Sequence, residues 1–454
     1  MKLNSGQEAA VSTALASFET RDVMGHTIIG EGGTGKTFCI IELARRIIAL
    51  NKTVLFTAPT NKAVKQLQKE ARRAGLNMGR CEFRTVYSAL GLAMMPSNER
   101  KNVFRVKPPI IENYDLTVLD EGSMAGEILL YDHFLPELDN MEVFCVIMGD
   151  DMQLNPVQEL QSLAFNIFPV SELTQVERQV NNPDGTPNGI LEITRPLRAA
   201  IKAKQSFKFD LVPENNVVLL RDVDFLRAVV AGFDLDTNLE DVRCIAWRND
   251  RVDDINNAIR KKIYGKDASR YEIGERIVTG EGIKDGEGEI ILGTDEECFV
   301  TGIEESSLVD QETNKAYKTW RLVLKPIYAT DVKQVFAHVL HESERDRYTR
   351  QLTEWATRAK EASGSSSGFY WKKYHPFAGM FADIRYCYCI TLHRAQGSTY
   401  KRGFLDVKDI LRNEIRYERQ RALYVGFSRF AEHITLNKMG FTAWTAVYPE
   451  RIRA

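Results

Sequence analysis

The sequence predicts an α/β fold with strands in parallel order, and three observations predict it. A short apolar run, His26-Thr27-Ile28-Ile29, ends at Gly30 and gives way at once to a helical pattern of Phe38, Ile40, Ile41, Leu43, Ala44, Ile47, Ile48 and Leu50. Strand and helix then alternate. Residues 52–60 read as a strand closing on a Pro turn, 61–67 restart a helix, and 116–119 and 143–150 are further apolar runs of strand length. Such alternation is what right-handed crossovers in a parallel sheet require. The third observation lies between the first strand and its helix: the glycine loop Gly30-Glu31-Gly32-Gly33-Thr34-Gly35-Lys36-Thr37.

That loop is G-x-x-x-x-G-K-T, a phosphate-binding pattern in the strand–loop–helix context it needs. Glycines let the backbone curl so that its N–H groups point inward at phosphates, and the helix N-terminus adds its positive dipole end. Gly32, Gly33, Thr34 and Gly35 form the expected cradle. Lys36 reaches the β- and γ-phosphates of a nucleotide, and the Thr37 hydroxyl ligates Mg²⁺.

A chain of 454 residues has room for two to four domains. Its 44% hydrophobic and 27% charged residues are ordinary for a globular protein. The net charge of −2 excludes a generally basic nucleic-acid coat, so any nucleic-acid site is a local groove. Seven cysteines are scattered without zinc spacing, which predicts reduced thiols and a cytoplasmic setting, the host's cytoplasm for a viral chain. No signal peptide is read at the N-terminus and no apolar run approaches membrane-spanning length, so no membrane partner is expected.

Upstream of the loop, Ser5 is placed to cap a helix that carries Gln7, whose amide can both donate to and accept from adenine. Thr57, Thr60 and Asn61 stand at the carboxyl end of a strand, where open sheets place their ligands. They are candidates for contacts to the backbone of a nucleic-acid strand, as is Thr85 at the next such junction; read alone, these are ordinary strand–turn–helix connections. Residues 94–114 read as a small insertion with a hairpin arm at 102–107. Phe104 on that arm either stacks on a base or packs into the insertion's own core. Asp120 and Glu121 close a buried strand: Asp120 is read as holding Mg²⁺ through water and Glu121 as polarising the attacking water. Gln153, in Gly149-Asp150-Asp151-Met152-Gln153-Leu154-Asn155-Pro156-Val157, is an uncharged donor placed to feel a γ-phosphate.

In the second half, 180–200 reads as a loop, 217–220 and 242–247 as strands, and 252–263 as a helix. From 273 onward Gly-rich turns separate short β segments, which predicts a small inserted barrel. Residues 332–362 read as one long charged helical stretch, broken at 364–368 by a flexible Gly/Ser linker. Residues 369–375 mix aromatic and basic side chains, suited either to single-stranded nucleic acid or to packing the arm onto the barrel. His393 follows a strand at 385–391 as a general base, a metal ligand or a strand contact; no second His or Cys lies at ligand spacing.

Taken together these motifs resemble superfamily 1 helicases, most closely the RecD/Dda-like 5′-to-3′ class of phage type. Gln7 looks like the Q motif, 57–61 like motif Ia, 173–179 with Arg178 like motif IV, 391–399 with His393 and Gly397 like motif V, and 423–429 with Arg429 like motif VI. They occur in family order from residue 7 to residue 429. The resemblance implies two RecA-like parallel-sheet domains around one ATP and its Mg²⁺. A small insertion sits in the first domain, and an SH3-like β-barrel with a helical arm is inserted in the second. The expected division is 1–176 for the first domain, with its insertion at 84–114; 177–272 and 377–454 for the second; and 273–376 for the barrel and arm.

The resemblance assigns Lys36, Glu121, Gln153, Arg178 and Arg429 to catalysis, the two arginines acting from the second domain on the γ-phosphate. Arginine fingers of this kind are worth roughly 10³–10⁵ in rate. Gln7, Gly32, Gly33, Thr34, Gly35, Lys36, Thr37, Asp120 and Gly397 fall to the nucleotide and its metal; Thr60, Asn61, Thr85, Phe104 and His393 fall to DNA. Glu177 stands where many members carry an aromatic that stacks on adenine, and Ser428 where Thr is usual. The implied activity is ATP-driven 5′-to-3′ movement on single-stranded and tailed duplex DNA by a monomer, in replication or recombination, with single-strand-binding or replication proteins as further partners. An RNA-directed superfamily 1 helicase and a nucleotide-gated nucleic-acid clamp are the competing readings.

Overall fold

In a computed structural model, the structure describes residues 3–95, 102–156, 159, 162–176, 185–186, 188–207, 216–284, 290–327, 334–362 and 365–438. The chain divides into two compact units. One holds two parallel sheets; the other comprises Tyr264–Cys387 together with Met94–Asn102.

The first sheet grows out of the glycine loop. Helix α1 (Ser5–Thr20) leads into β1 (Gly25–Gly30), α2 (Lys36–Ala49), β2 (Val54–Ala58), α3 (Asn61–Arg73) and β3 (Cys81–Thr85). β4 (Leu116–Leu119), β5 (Phe144–Gly149) and β6 (Val170–Leu173) complete it in the order β3-β2-β4-β5-β1-β6, every pair parallel. β1, β2, β4 and β5 are buried along their whole length, which is why they read as unbroken apolar runs. Successive residues feed opposite faces. Ile28, Phe56, Val118 and Val146 join the core under α1, α2 and α3, while Ile29, Leu55, Leu119 and Ile147 join a second core with Leu130 and Phe134. The short strands Leu92–Met95 and Asn102–Arg105 pair as a separate two-stranded ribbon.

The second sheet is reached through α4 (Gly189–Lys202), where the sequence predicts a loop. Asn188 accepts the Ile190 N–H at 3.0 Å and caps it, and Ile190, Thr194, Leu197 and Ile201 bury one face in spite of Pro196. Strand β7 (Val217–Leu220), α5 (Asp222–Ala231), β8 (Val242–Ala246) and α6 (Asn249–Tyr264) follow.

The chain then builds a five-stranded antiparallel sheet from β9 (Arg276–Thr279), β10 (Glu297–Asp310), β11 (Lys315–Pro326), β12 (Val335–Leu340) and β13 (Ile384–Tyr386), in the order β12-β11-β10-β9-β13. Its buried face carries Cys298, Val300, Leu322, Leu324, Val335, Ala337 and Val339. β12 corrects the long helix expected over 332–362: the helix is α7 (Arg345–Glu361) alone. The expected linker is corrected as well, because α8 (Ser365–Ala378) begins at the serines themselves. The arm packs through an aromatic cluster in which Tyr317, Trp355 and Phe377 are buried with Tyr348 and Tyr374 against them. Phe369 stays 55% exposed beneath Lys373.

After this insertion, β14 (Cys389–Thr391), β15 (Tyr400–Leu405), α9 (Arg416–Ser428) and β16 (Phe430–Asn437) close the second parallel sheet in the order β14-β8-β15-β16-β7. Among the described residues no helix is long and apolar enough to cross a membrane.

Candidate active site

The glycine loop needs its glycines at two points. Gly33 and Gly35 sit at φ 91° and 82°, where a side chain is strained, and a Cβ on Gly35 would lie 2.4 Å from Gln7 Nε2. Thr34 closes the loop from inside: its N–H and its hydroxyl both donate to the Glu31 carbonyl, at 3.3 and 2.9 Å. Lys36 folds back and donates to the carbonyls of Gly30 (2.7 Å) and Glu31 (3.0 Å). No side chain caps α2, so its first N–H groups carry the positive end of the helix into the loop.

Gln7 is buried, and its amide is largely committed. The oxygen accepts the Asn4 N–H at 3.0 Å in a capping box, and the nitrogen donates to the Thr34 carbonyl at 3.0 Å. It therefore braces the loop, with one amide hydrogen and the oxygen's second lone pair left for a base. The helix cap is Asn4, not the expected Ser5.

Across the sheet, Asp120 Oδ1 accepts the Glu121 N–H at 2.7 Å. Burial, with Glu121 adding, pushes the Asp120 carboxyl up to about 7, against the pull of that N–H and of Lys36. Glu121 itself holds φ 51°, a left-handed conformation that costs a non-glycine residue about 1–3 kcal/mol. Gly397, at φ 75°, sits where a Cβ would be 3.5 Å from Glu121 Oε1, so a loop of the second sheet lies directly against that carboxylate.

The two sheets meet again at Gln153. Gln396 Nε2 reaches Gln153 Oε1 and Ser123 Oγ, both at 3.4 Å. Arg421 of α9, which the motif reading passed over, donates through Nη1 to the carbonyls of Asp151 (2.8 Å) and Gln153, and through Nη2 to the Tyr417 hydroxyl. Three residues along the same helix, Tyr424 donates its hydroxyl to Asp150 Oδ2 at 2.6 Å. Arg429, expected with Arg178 to cross, is turned onto its own helix: Nε donates to the Val425 carbonyl at 3.2 Å and Nη2 to Ser428 Oγ at 2.9 Å. Arg178, with Glu177 beside it, lies outside the described residues, and so does the side chain of Phe104.

A second group lines the carboxyl ends of β2 and β3. Ala58 and Thr85 are register partners; Thr60 accepts the Ala63 N–H at 3.2 Å and caps α3; Thr85 accepts the Ser88 N–H at 3.2 Å. Asn61 opens α3, and His393 is exposed on the turn Leu392–Ala395. Thr57 is corrected as a strand contact, since it is buried and donates to the Val118 carbonyl at 2.7 Å. Lys62 crosses to the second sheet, its Nζ 3.3 Å from the Tyr400 hydroxyl.

Residues 2–195 match the AAA domain family. A solved Pif1 helicase from Bacteroides, in complex with ADP-AlF3 and single-stranded DNA, superposes with a TM-score of 0.53 at 16% identity, over 99% of this chain and 95% of that one. The Pif1 helicases solved in connection with unwinding at forked duplex DNA give 0.52 at the same identity and coverage. The chain has the fold of the Pif1 helicases. Two relatives match at sequence level. The ATP-dependent DNA helicase Dda of Enterobacteria phage T4 is 24% identical over 89% of this chain and 92% of its own length. An uncharacterised protein of Acanthamoeba polyphaga mimivirus is 23% identical over 90% of this chain and 94% of its own. Within the Pif1 helicase fold, the glycine loop, Asp120-Glu121 and Gln153 belong to the first parallel sheet and Gln396, Gly397, Arg421 and Arg429 to elements of the second.

Proposed function

We propose that this chain is an ATP-dependent DNA helicase of superfamily 1, of the Pif1- and Dda-like kind, which moves 5′ to 3′ on single-stranded DNA and opens tailed duplexes as a monomer. The observation that carries this reading is the crossing of Arg421 to the loop of Asp151 and Gln153, because it ties a cation carried by an element of the second sheet to the loop of the first sheet that holds Gln153. The bare start of α2 and the loop of Gly32, Gly33, Thr34 and Gly35 surround the phosphates; Lys36 leaves the carbonyls it now holds for the β- and γ-phosphates. Glu121 polarises the attacking water and Gln153 reports the γ-phosphate. Arg421, with Arg178, stabilises charge on the transferred group.

Among the described residues no cluster of three His, Cys, Asp or Glu side chains holds a metal alone. Magnesium fits what is present, since it takes one or two carboxylates and completes its shell with phosphate and water. Asp120, through water, and Thr37 would hold it, and it would neutralise charge on the β- and γ-oxygens. DNA runs along the carboxyl edge of β2 and β3, past Thr60, Asn61, Thr85 and His393, with Phe104 on the neighbouring ribbon. Contacts of this kind fall on phosphates and stacked bases and read little sequence.

Strand displacement on duplexes with a 5′ or a 3′ tail tests the reading. Opening of the 5′-tailed duplex alone, dependent on ATP and Mg²⁺, is expected. Opening of the 3′-tailed one alone keeps the helicase and discards the direction. ATP hydrolysis without opening of either favours a nucleotide-gated clamp, and equal stimulation of turnover by single-stranded RNA moves the substrate to RNA.

A further inference from the structure

Asp150 is wholly buried, and the reaction described above does not use it. Its oxygens are met from three directions. Oδ1 accepts the Met152 N–H at 3.1 Å and lies 3.6 Å from Arg198 Nε; Oδ2 accepts the Tyr424 hydroxyl at 2.6 Å. Arg198 belongs to α4 and Tyr424 to α9. A buried carboxylate is tolerated only when paired and hydrogen-bonded, and an apolar contact in its place is commonly at least as stable. Packing alone therefore does not explain a charge at this point.

Its position does. Asp150 opens the loop that carries Gln153, and Tyr424 stands three residues from Arg421, so both side chains leave one face of α9 toward that loop. Tyr424 fixes the start of the loop and Arg421 its carbonyls; α9 and Gln153 therefore move together. Arg198 is stretched over three carboxylates, at 3.0 Å from Asp151, 3.6 Å from Asp150 and 3.8 Å from Glu172, and its buried Nε has no hydrogen-bond partner among the described residues. Half-buried Glu31 of the phosphate loop also feels its charge, and Lys202 relieves it at Glu172, 2.8 Å away. A guanidinium so shared, with one bond unmade, is held by no single carboxylate and can be drawn toward any of the three, which is what a switching element needs.

We propose that Asp150, Tyr424 and Arg198 form a buried latch that sets the position of α9, and so of Arg421, against the Gln153 loop, and that its rearrangement couples nucleotide state to DNA grip. Tyr424 and Arg198 are positioning residues. The inference rests on the helicase reading.

The test uses the full chain. Tyr424→Phe removes the hydroxyl and leaves the charge pair; Asp150→Asn keeps an acceptor for the hydroxyl and removes the charge. ATP turnover is measured at 25 °C with and without oligo-dT, together with oligo-dT affinity in ADP and in a non-hydrolysable ATP analogue. Both variants are expected to keep the KM for ATP within about twofold, lose about 5- to 30-fold in DNA-stimulated kcat, and narrow the affinity gap between the two nucleotide states. Wild-type stimulation and an unchanged affinity gap overturn the latch. So does a loss of basal and stimulated rates in step with a fall in Tm, the mark of a merely structural role. Wild-type protein that hydrolyses no ATP overturns the helicase reading itself, and the latch with it.

Discussion

Asp120 ties function to stability through a single proton. Its carboxyl is held at about 7 in the folded chain against an unfolded value of 3.8, so the folded state binds the extra proton. The stability this contributes is complete below pH 3.8 and is lost as pH rises through 7. Asp120→Asn, an uncharged isostere, is therefore expected to raise the metal-free Tm at pH 8 by about 2–4 °C while stopping turnover, the gain falling to less than half of that at pH 5. Thermal melts in EDTA at the two pH values check it. Arg421 and Arg429 make a second comparison. Arg421→Ala is expected to cut kcat by about 10² or more, as an arginine finger does. Arg429→Ala, which loses bonds within α9, is expected to lower Tm with less than about tenfold loss in kcat; steady-state turnover and melts of both variants separate the roles. Arg421 was hard to see in the sequence because it sits in the charged run Arg416, Glu418, Arg419, which reads as a solvated face. Only the burial of α9 from Gln420 to Phe427 reveals it.

At the scale of elements, β1 carries a buried liability. His26 is buried beside Ser171, with Nε2 2.9 Å from its hydroxyl and Nδ1 without a partner among the described residues, and burial holds its pKa below 6.5. The unfolded chain thus binds the proton first, and stability present above pH 6.5 is lost as pH falls toward the folded value. His26→Gln is expected to shrink the Tm drop between pH 7.5 and 5.5 by about 2 °C, readable by calorimetry. The strands of the first sheet were legible because burial on both faces gives unbroken apolar runs. The failures came where local signals conflict. Pro196 and the Asn-Asn-Pro-Asp-Gly run hid the helical spacing of Ile190, Leu197 and Ile201. Charged residues after Leu340 hid the alternation of Val335, Ala337 and Val339. Three serines that start α8 look like a linker.

For the whole molecule, the motifs were legible one at a time, but their meeting was not. Gly397 against Glu121, Gln396 against Gln153 and Lys62 on Tyr400 pair residues hundreds of positions apart, and no local pattern encodes such a distance. Another pairing has a different bearing. The chain leaves the second sheet after α6 and comes back at β14. There Asn256 clasps the returning strand with both ends of its amide, donating to the Cys389 carbonyl at 2.9 Å and accepting the Cys389 N–H at 2.7 Å. Exit and return are riveted side by side, whatever the 124 residues from Tyr264 to Cys387 become. A segment of another length placed there leaves the register of the strand that leads into His393 and Gly397 to this clasp. The seam is the natural place to graft a new module onto this engine.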